Sequence, residues 1–515
     1  MNPGAGDAER GQSRHSPVAS RLEPHDEIDP STLKRGLRTL TVEVVFSSSC
    51  DAILIGTIMT AFALYLGARP AQVGILTAVA FWAQLLQGPG VLLIERLRAR
   101  KRIAVVAILV SAIAPIALVA LAFADASRPA RFGLVGAVAL YCGASAFAGC
   151  AWSAWTRDLV PDEARNRFTA RRTRLALLAG VIVSLLAAGV LDMAARGRET
   201  GAMVYAGLFA LAFAARMLSA ATLARAPEPA MPPPARPARL HELLREPLRD
   251  PRFRPLIRFT ASWQFAVNLA QPFFTVFLLK QLGFGVTFVM LLTIVSQLAN
   301  IWSLKRWGPL SDRYGAKSVL NAAAPTYVVC IAAMIGASQL GATWVGAAYL
   351  ILLHVLMGVA GAGVTLGSGV VALGLSPAGA AAPYLSLNAL ISSFAGGLAP
   401  VLGGLGAEFF EARRLGLVVE WAGPVVRGDL VGVHLRGWDF YFLFAALIGL
   451  YALHRLTLVP AEGELRGGQM MQQILAQARA RFSRPPSVGG ADPPEEPAEE
   501  LLAAEVAGPP RSVRR

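Results

Sequence analysis

Twelve apolar runs divide the chain, at residues 39–66, 71–94, 103–124, 132–155, 175–193, 202–224, 257–281, 286–307, 319–340, 343–374, 384–410 and 438–459. About 20 apolar residues suffice to cross the hydrocarbon core of a bilayer as a helix. Inside lipid every backbone polar group must find its partner within the protein, which favours helices for runs of this length. The chain is 55% hydrophobic and 16% charged over 515 residues. Soluble domains are about 45–50% apolar and about 25% charged. An all-α membrane protein with twelve transmembrane helices is expected.

The joint between the eighth and ninth runs is the most informative loop. It reads Gly308-Pro309-Leu310-Ser311-Asp312-Arg313-Tyr314-Gly315-Ala316-Lys317-Ser318. Helices joined by so few residues lie antiparallel and side by side. The runs also fall into two similar halves. Glu95-Arg96 after span two corresponds to Asp312-Arg313 after span eight, an offset of 217 residues (312 − 95). Pro161 and Pro377 keep an offset of 216 (377 − 161), as do Gly180 and Gly396 (396 − 180). Two six-helix pseudo-repeats are therefore expected, at 38–225 and 256–460. Between them, 226–255 reads as a proline-rich linker that ends in a short amphipathic helix over His241 to Arg249.

Net charge is +15, but the cations sit in short loops between apolar runs. That distribution sets membrane orientation and points away from nucleic acid. Loops of one set carry Arg96, Arg98, Arg100, Lys101 and Arg102, then Arg157, Arg165, Arg167, Arg171, Arg172 and Arg174. The same set continues with the cations from Arg225 to Arg258 and with Lys305, Arg306, Arg313 and Lys317. The opposite set is sparser, which predicts that the basic loops and both termini are cytoplasmic. Residues 1–37 and 461–515 read as cytoplasmic tails, the second amphipathic at its start and then disordered. Cys50, Cys142, Cys150 and Cys330 lie in apolar runs without metal spacing and read as packing residues.

The Gly308–Lys317 stretch resembles the G-x-L-x-D-R-x-G-x-K loop of the major facilitator superfamily of transporters. The loop Asp158-Leu159-Val160-Pro161 through Arg165-Asn166-Arg167 resembles a D-L-V-P-x-x-x-R-G-R loop of bacterial members, with Asn166 at the glycine position. The resemblance covers about residues 38–460. It implies the superfamily's twelve-helix fold, a substrate site between the halves, and a bacterial cytoplasmic (inner) membrane. It also implies gating loops at the cytoplasmic face, on Glu95, Arg96, Asp158, Arg165, Arg167, Asp312 and Arg313. The first-half copy is degenerate, with Val91 where Gly308 stands and Glu95 in place of Asp.

Ionised groups inside a membrane helix cost about 2.5–3.5 kcal/mol even on lenient scales, so they mark function or a specific partner. Asp51, midway along span one, is the clearest case, and Glu43 shares its broad face. Two roles fit Asp51: proton coupling, or a structural carboxylate bonded to a neighbouring helix. Gln264, Asn268 and Gln271 form one strip on span seven. With Gln84, Gln297, Asn300, His354 and Asn388 they are the candidates for lining a substrate cavity; helix-to-helix hydrogen bonding is the other role open to them.

No phosphate-binding G-x-x-x-x-G-K-[ST], H-E-x-x-H or G-x-S-x-G motif occurs. Neither an enzyme nor a cofactor or metal is expected. The expected function is secondary active transport of a small solute by alternating access, with protons as a coupling partner, in a monomer embedded in the bilayer. The rival is a transporter-shaped sensor or scaffold that no longer transports.

Overall fold

The computed structural model describes residues 29–194, 198–231, 240–377, 381–411, 413, 415–422, 427–435 and 437–460. Asp29 opens the first helix by accepting the N–H groups of Ser31 at 3.0 Å and Thr32 at 3.4 Å. Pro30 takes the first helical position, where a missing N–H costs nothing. The helix, α1, runs Pro30–Leu54, so its first two turns occupy residues expected to be tail. Ile55 then turns extended, Gly56 adopts φ +82°, and α2 restarts over Thr57–Tyr65. Only glycine takes that backbone geometry readily. Span one is thus two helices with a break at mid-membrane.

Spans two and three are also interrupted. Span two is α3 (Pro70–Ala83), a 3₁₀ turn (Gln84–Leu86) and α4 (Gln87–Leu97). Pro89, which has no N–H for residue 85, explains the tightened turn. Span three is α5 (Arg100–Ser111) and α6 (Ile113–Ala122). The first half closes with α7 (Arg128–Leu159), α8 (Asp162–Ala194) and α9 (Arg198–Leu223).

The short amphipathic helix appears as α10 (Leu240–Arg249). The second half holds α11 (Arg254–Val276), extended by a π turn at Phe277–Gln281. Then come α12 (Val286–Tyr314), α13 (Ala316–Leu340), α14 (Trp344–Gly374), α15 (Ala381–Glu411) and α16 (Gly437–Thr457). All twelve predicted spans are helical. Among the described residues, 11 helices are long and apolar enough to cross a membrane. The remaining span, α11, is the one that carries the polar strip.

One expectation needs correction. The joint after span eight is narrower than expected: α12 continues through Gly308 and Pro309 to Tyr314, and the turn is Gly315 alone, at φ +84°. The all-α membrane class holds, with one small addition. Between α15 and α16 an antiparallel hairpin pairs β1 (Leu415–Ala422) with β2 (Arg427–Leu435). Residues 1–28 and 461–515, expected as tails, lie outside the described residues.

The start of the linker is not a solvated spacer. Ala226 to Met231 fold back onto the arginine-rich end of the first half. Trp155 donates its indole N–H to the Pro227 carbonyl at 2.9 Å, and Arg100 donates to the Pro229 carbonyl at 2.8 Å. Arg98 donates to the Met231 carbonyl at 2.6 Å. Gly36 passes so close that a Cβ there would lie 2.5 Å from Pro227. Glu228 and Arg100 are each only 1% exposed. They approach to 3.6 Å, and Arg100 also pairs with Asp158. Burial pushes the Glu228 carboxyl above its ordinary range, against the N–H groups of Lys101 and Arg100 and the Arg100 guanidinium, which hold it down.

The halves meet mainly through α2, α3 and α8 on one side and α11, α12 and α15 on the other. The α3–α15 contact is the tighter, because glycines remove the side chains between backbones. A Cβ at Gly74 would lie 2.0 Å from the Pro400 carbonyl oxygen, and one at Gly404 would lie 2.5 Å from the Ala71 Cα. Trp82 spans the same seam, donating to the Phe394 carbonyl at 3.4 Å. These contacts lie at mid-span and at the end away from the arginine-rich loops.

Candidate functional site

Two adjoining cavities lie between the halves. The larger, of about 540 Å³, is walled by the break in span one (Ile55, Gly56, Thr57), by Thr60 and Thr77, and by α11, α12 and α14 of the other half. The smaller, of about 430 Å³, is lined by Trp263, Gln264, Asn300 and Thr365, among others. Gln271, Ser296, Gln297, Tyr327 and Met357 line both. The exposed backbone of the break sits where the bilayer permits it, against a cavity rather than lipid. Its N–H groups at Gly56 to Met59 have no acceptor within their own helix.

Six of the eight predicted cavity residues come together here. Gln264, Gln271, Gln297 and Asn300 line the smaller cavity, and Asn268, Gln271, Gln297 and His354 line the larger. Asn268 donates to the Gln264 carbonyl at 2.8 Å and to its side-chain oxygen at 3.1 Å, so the strip is prearranged along α11. His354 is 8% exposed, with Nδ1 2.8 Å from the Leu350 carbonyl oxygen. Gln84 is placed elsewhere: it is exposed in the 3₁₀ turn and accepts from Gln87. Asn388 lines neither cavity and leaves its Oδ1 buried without a partner. Among the described residues, no Asp, Glu, Lys or Arg lines either cavity.

The ionised groups form a separate cluster inside the first half. Asp51 accepts a hydrogen bond from the Tyr141 hydroxyl. It is exposed, on the same helical face as cavity-lining Ile55. Arg216, on α9 and 4% exposed, lies 5.1 Å over the Tyr141 ring. It donates to Ser111 and Ser145, each at 2.7 Å. Glu43, 3% exposed, pairs with Arg172 at 3.3 Å and accepts from Ser219 at 2.8 Å. Arg172 stacks 3.9 Å over Trp152. Two carboxylates are thus matched by two guanidiniums. Arg216 and Tyr141 were missed in the sequence, although an arginine within span six is as costly as Asp51 and was open to the same argument.

The gating-loop candidates separate. Asp158 is engaged by Arg100. Arg165 caps the end of α7, donating to the Arg157 carbonyl at 3.2 Å. Glu95, Arg96, Arg167, Asp312 and Arg313 are exposed. Arg313 lies 5.2 Å over Tyr314.

The family model described as Major Facilitator Superfamily matches residues 44–400. The chain belongs to that superfamily. No curated protein matches its sequence. Solved structures share its fold at low identity. A D323A mutant of the nucleoside transporter NupG aligns with TM-score 0.63 at 13% identity, covering 82% of this chain and 100% of that one. A bacterial homologue of the human lysosomal transporter Spinster, inward-facing and unoccupied, aligns with TM-score 0.59 at 14% identity, covering 84% and 98%. A D-xylose–proton symporter aligns with TM-score 0.54 at 14% identity, covering 84% and 96%. The chain is an integral, multi-pass membrane transporter.

Proposed function

We propose that the protein is a proton-coupled carrier of an uncharged, hydrogen-bonding small solute, working by alternating access. The observation that carries this reading is the cavity between the halves. Its wall is largely aliphatic, with amides, hydroxyls and aromatic rings set into it, and no ionised side chain lines it among the described residues. A charged solute would there meet no counter-ion in a low-dielectric site, which is expensive. Side-chain amides both donate and accept, which suits a solute bearing hydroxyl or heterocyclic groups. Trp263 and Tyr327, 5.7 Å apart, offer a ring face beside them. The fold neighbours that handle nucleosides and D-xylose are consistent with such a solute. In this reading the arginine-rich loops face the cytoplasm of a bacterial inner membrane. Asp51 and Tyr141, beside the broken helix, form the proton site.

Uptake into proteoliposomes from a panel of neutral nucleosides and sugars, under an imposed pH gradient, tests the reading. Gln271, which both cavities share, is the residue to change. Gln271→Ala leaves a solute group unpaired, at about 1–3 kcal/mol, so KM rises by about fivefold to a hundredfold. Flux of charged solutes only, or a Gln271→Ala variant with unchanged KM, would overturn it.

A further inference from the structure

We infer that Asp192 and Glu408 are a duplicated latch that holds the halves together at the end opposite the arginine-rich loops, and that the transport cycle makes and breaks it. Asp192 lies in the last turn of α8, in the first half. Its carboxylate accepts the N–H of Val286 at 2.7 Å and of Thr287 at 2.8 Å, the first two residues of α12 in the second half. Glu408 lies in the last turn of α15, in the second half. It accepts the N–H of Ala71 at 3.2 Å, the second residue of α3 in the first half. Each carboxylate thus crosses between halves to cap the start of a helix.

The two contacts are copies. Asp192 and Glu408 are 216 residues apart (408 − 192), and so are Ala71 and Thr287 (287 − 71). This is the offset of Pro161 with Pro377 and of Gly180 with Gly396. A repeat related by that offset places the same bond on both sides of the pseudo-twofold axis.

Neither residue before these helices supplies a side-chain acceptor, although in α3 the Gln72 side chain accepts the Arg69 N–H at 3.1 Å. The first N–H groups of a helix have no acceptor within it, and the residue before it usually offers a side-chain oxygen. Here those residues are Arg69 for α3 and Gly285 for α12. Arginine has no acceptor and glycine no side chain. They are 216 residues apart as well (285 − 69). For Ala71, Val286 and Thr287 the acceptor comes from the other half, and its negative charge meets the positive end of the helix dipole. Parting the halves at this end returns both carboxylates and both helix starts to water. The latch therefore biases the conformational equilibrium without touching the cavity. The two copies differ in support. Asp192 makes two bonds, whereas Glu408 makes one beside the close Gly74–Pro400 and Gly404–Ala71 backbone contacts.

Gly285 gives an uncharged way to test this. A Cβ there would lie 2.7 Å from the Asp192 Oδ2, so Gly285→Ala displaces the carboxylate without removing it. The readout is Cys142, which lines the larger cavity. In protein whose other cysteines are changed to alanine, a membrane-impermeant maleimide is applied to the face opposite the arginine-rich loops. It reaches Cys142 only when that end opens. Labelling is expected to rise about threefold in Asp192→Ala, Glu408→Ala and Gly285→Ala, and about tenfold in the double carboxylate variant. Asp192→Asn, which keeps an acceptor, falls between native and Asp192→Ala. Unchanged labelling in variants that elute as folded monomers and keep their unfolding temperature would overturn the latch. So would a rise in Asp192→Ala with none in Gly285→Ala. The inference rests on the alternating-access reading but needs no solute, so a wrong solute class leaves this result intact.

Discussion

Replacing Asp51 by Asn is expected to abolish proton-driven accumulation of the solute while leaving solute-for-solute exchange in place. Asparagine keeps the size and the acceptor that the Tyr141 hydroxyl uses, but it takes up no proton. The position explains how one proton reaches the cavity wall. The Asp51 carbonyl accepts the Ile55 N–H at 2.9 Å, the last bond before the break, and Gly56 follows. A change in charge at Asp51 therefore acts one helical turn from the backbone that faces the solute. Uptake by native protein should rise when the cytoplasmic-loop side is alkaline, and uptake by Asp51→Asn should stop at equal concentrations on both sides. Full accumulation by the variant would move the proton site elsewhere, and His354 is the histidine in the cavity wall.

Arg216→Met should give the largest loss of stability among substitutions in the first half. The cluster is balanced, with Glu43 and Asp51 against Arg172 and Arg216. Removing this guanidinium leaves the Ser111 and Ser145 hydroxyls without their donor and takes a positive charge from the neighbourhood of Asp51. Two hydrogen bonds from a charged group are lost, at about 1.5–3 kcal/mol each. The double variant Asp51→Asn with Arg216→Met restores neutrality and should recover the part of the loss that the unbalanced charge causes. Thermal unfolding in detergent measures both, and the cycle isolates the coupling of the two residues. Additive losses would mean that Arg216 stabilises only through Ser111, Ser145 and the Tyr141 ring.

Span positions were legible because length and apolarity decide them, and these are properties of the sequence alone. The breaks were not. Gly56 reads as one more small residue in an apolar run, and nothing in composition says that it takes a positive φ where Gly308 does not. The joint between spans eight and nine was read too wide for the converse reason. A glycine in a helix is tolerated when packing holds its neighbours, and the single residue Gly315 can reverse the chain. The hairpin at 415–435 lay in a loop read only for its arginines. The polar strip on α11 was visible because three amides at helical spacing share a face. Gln84 and Asn388 carry the same chemistry, and only the fold separates them from the cavity. Asp192 and Glu408 could not be read as a pair at all. Their partners are backbone N–H groups, which no residue type encodes, and at span ends they resemble ordinary boundary charges. The repeat offset held the information, but only once Ala71 and Thr287 were known to be the acceptors' partners.

The folded-back stretch from Ala226 to Met231 changes where the chain can be divided. By span limits alone a break after Arg225 looks natural. It would remove Glu228 from Arg100, strip the Trp155 indole of its acceptor, and leave the first half with an open wound at its arginine-rich end. A gene split between residues 231 and 240 would keep that stopper with the bundle it seals. Two polypeptides cut there and co-expressed should purify together as a working carrier, whereas those cut at Arg225 should not. The first half therefore ends, as a self-contained building block, at Met231.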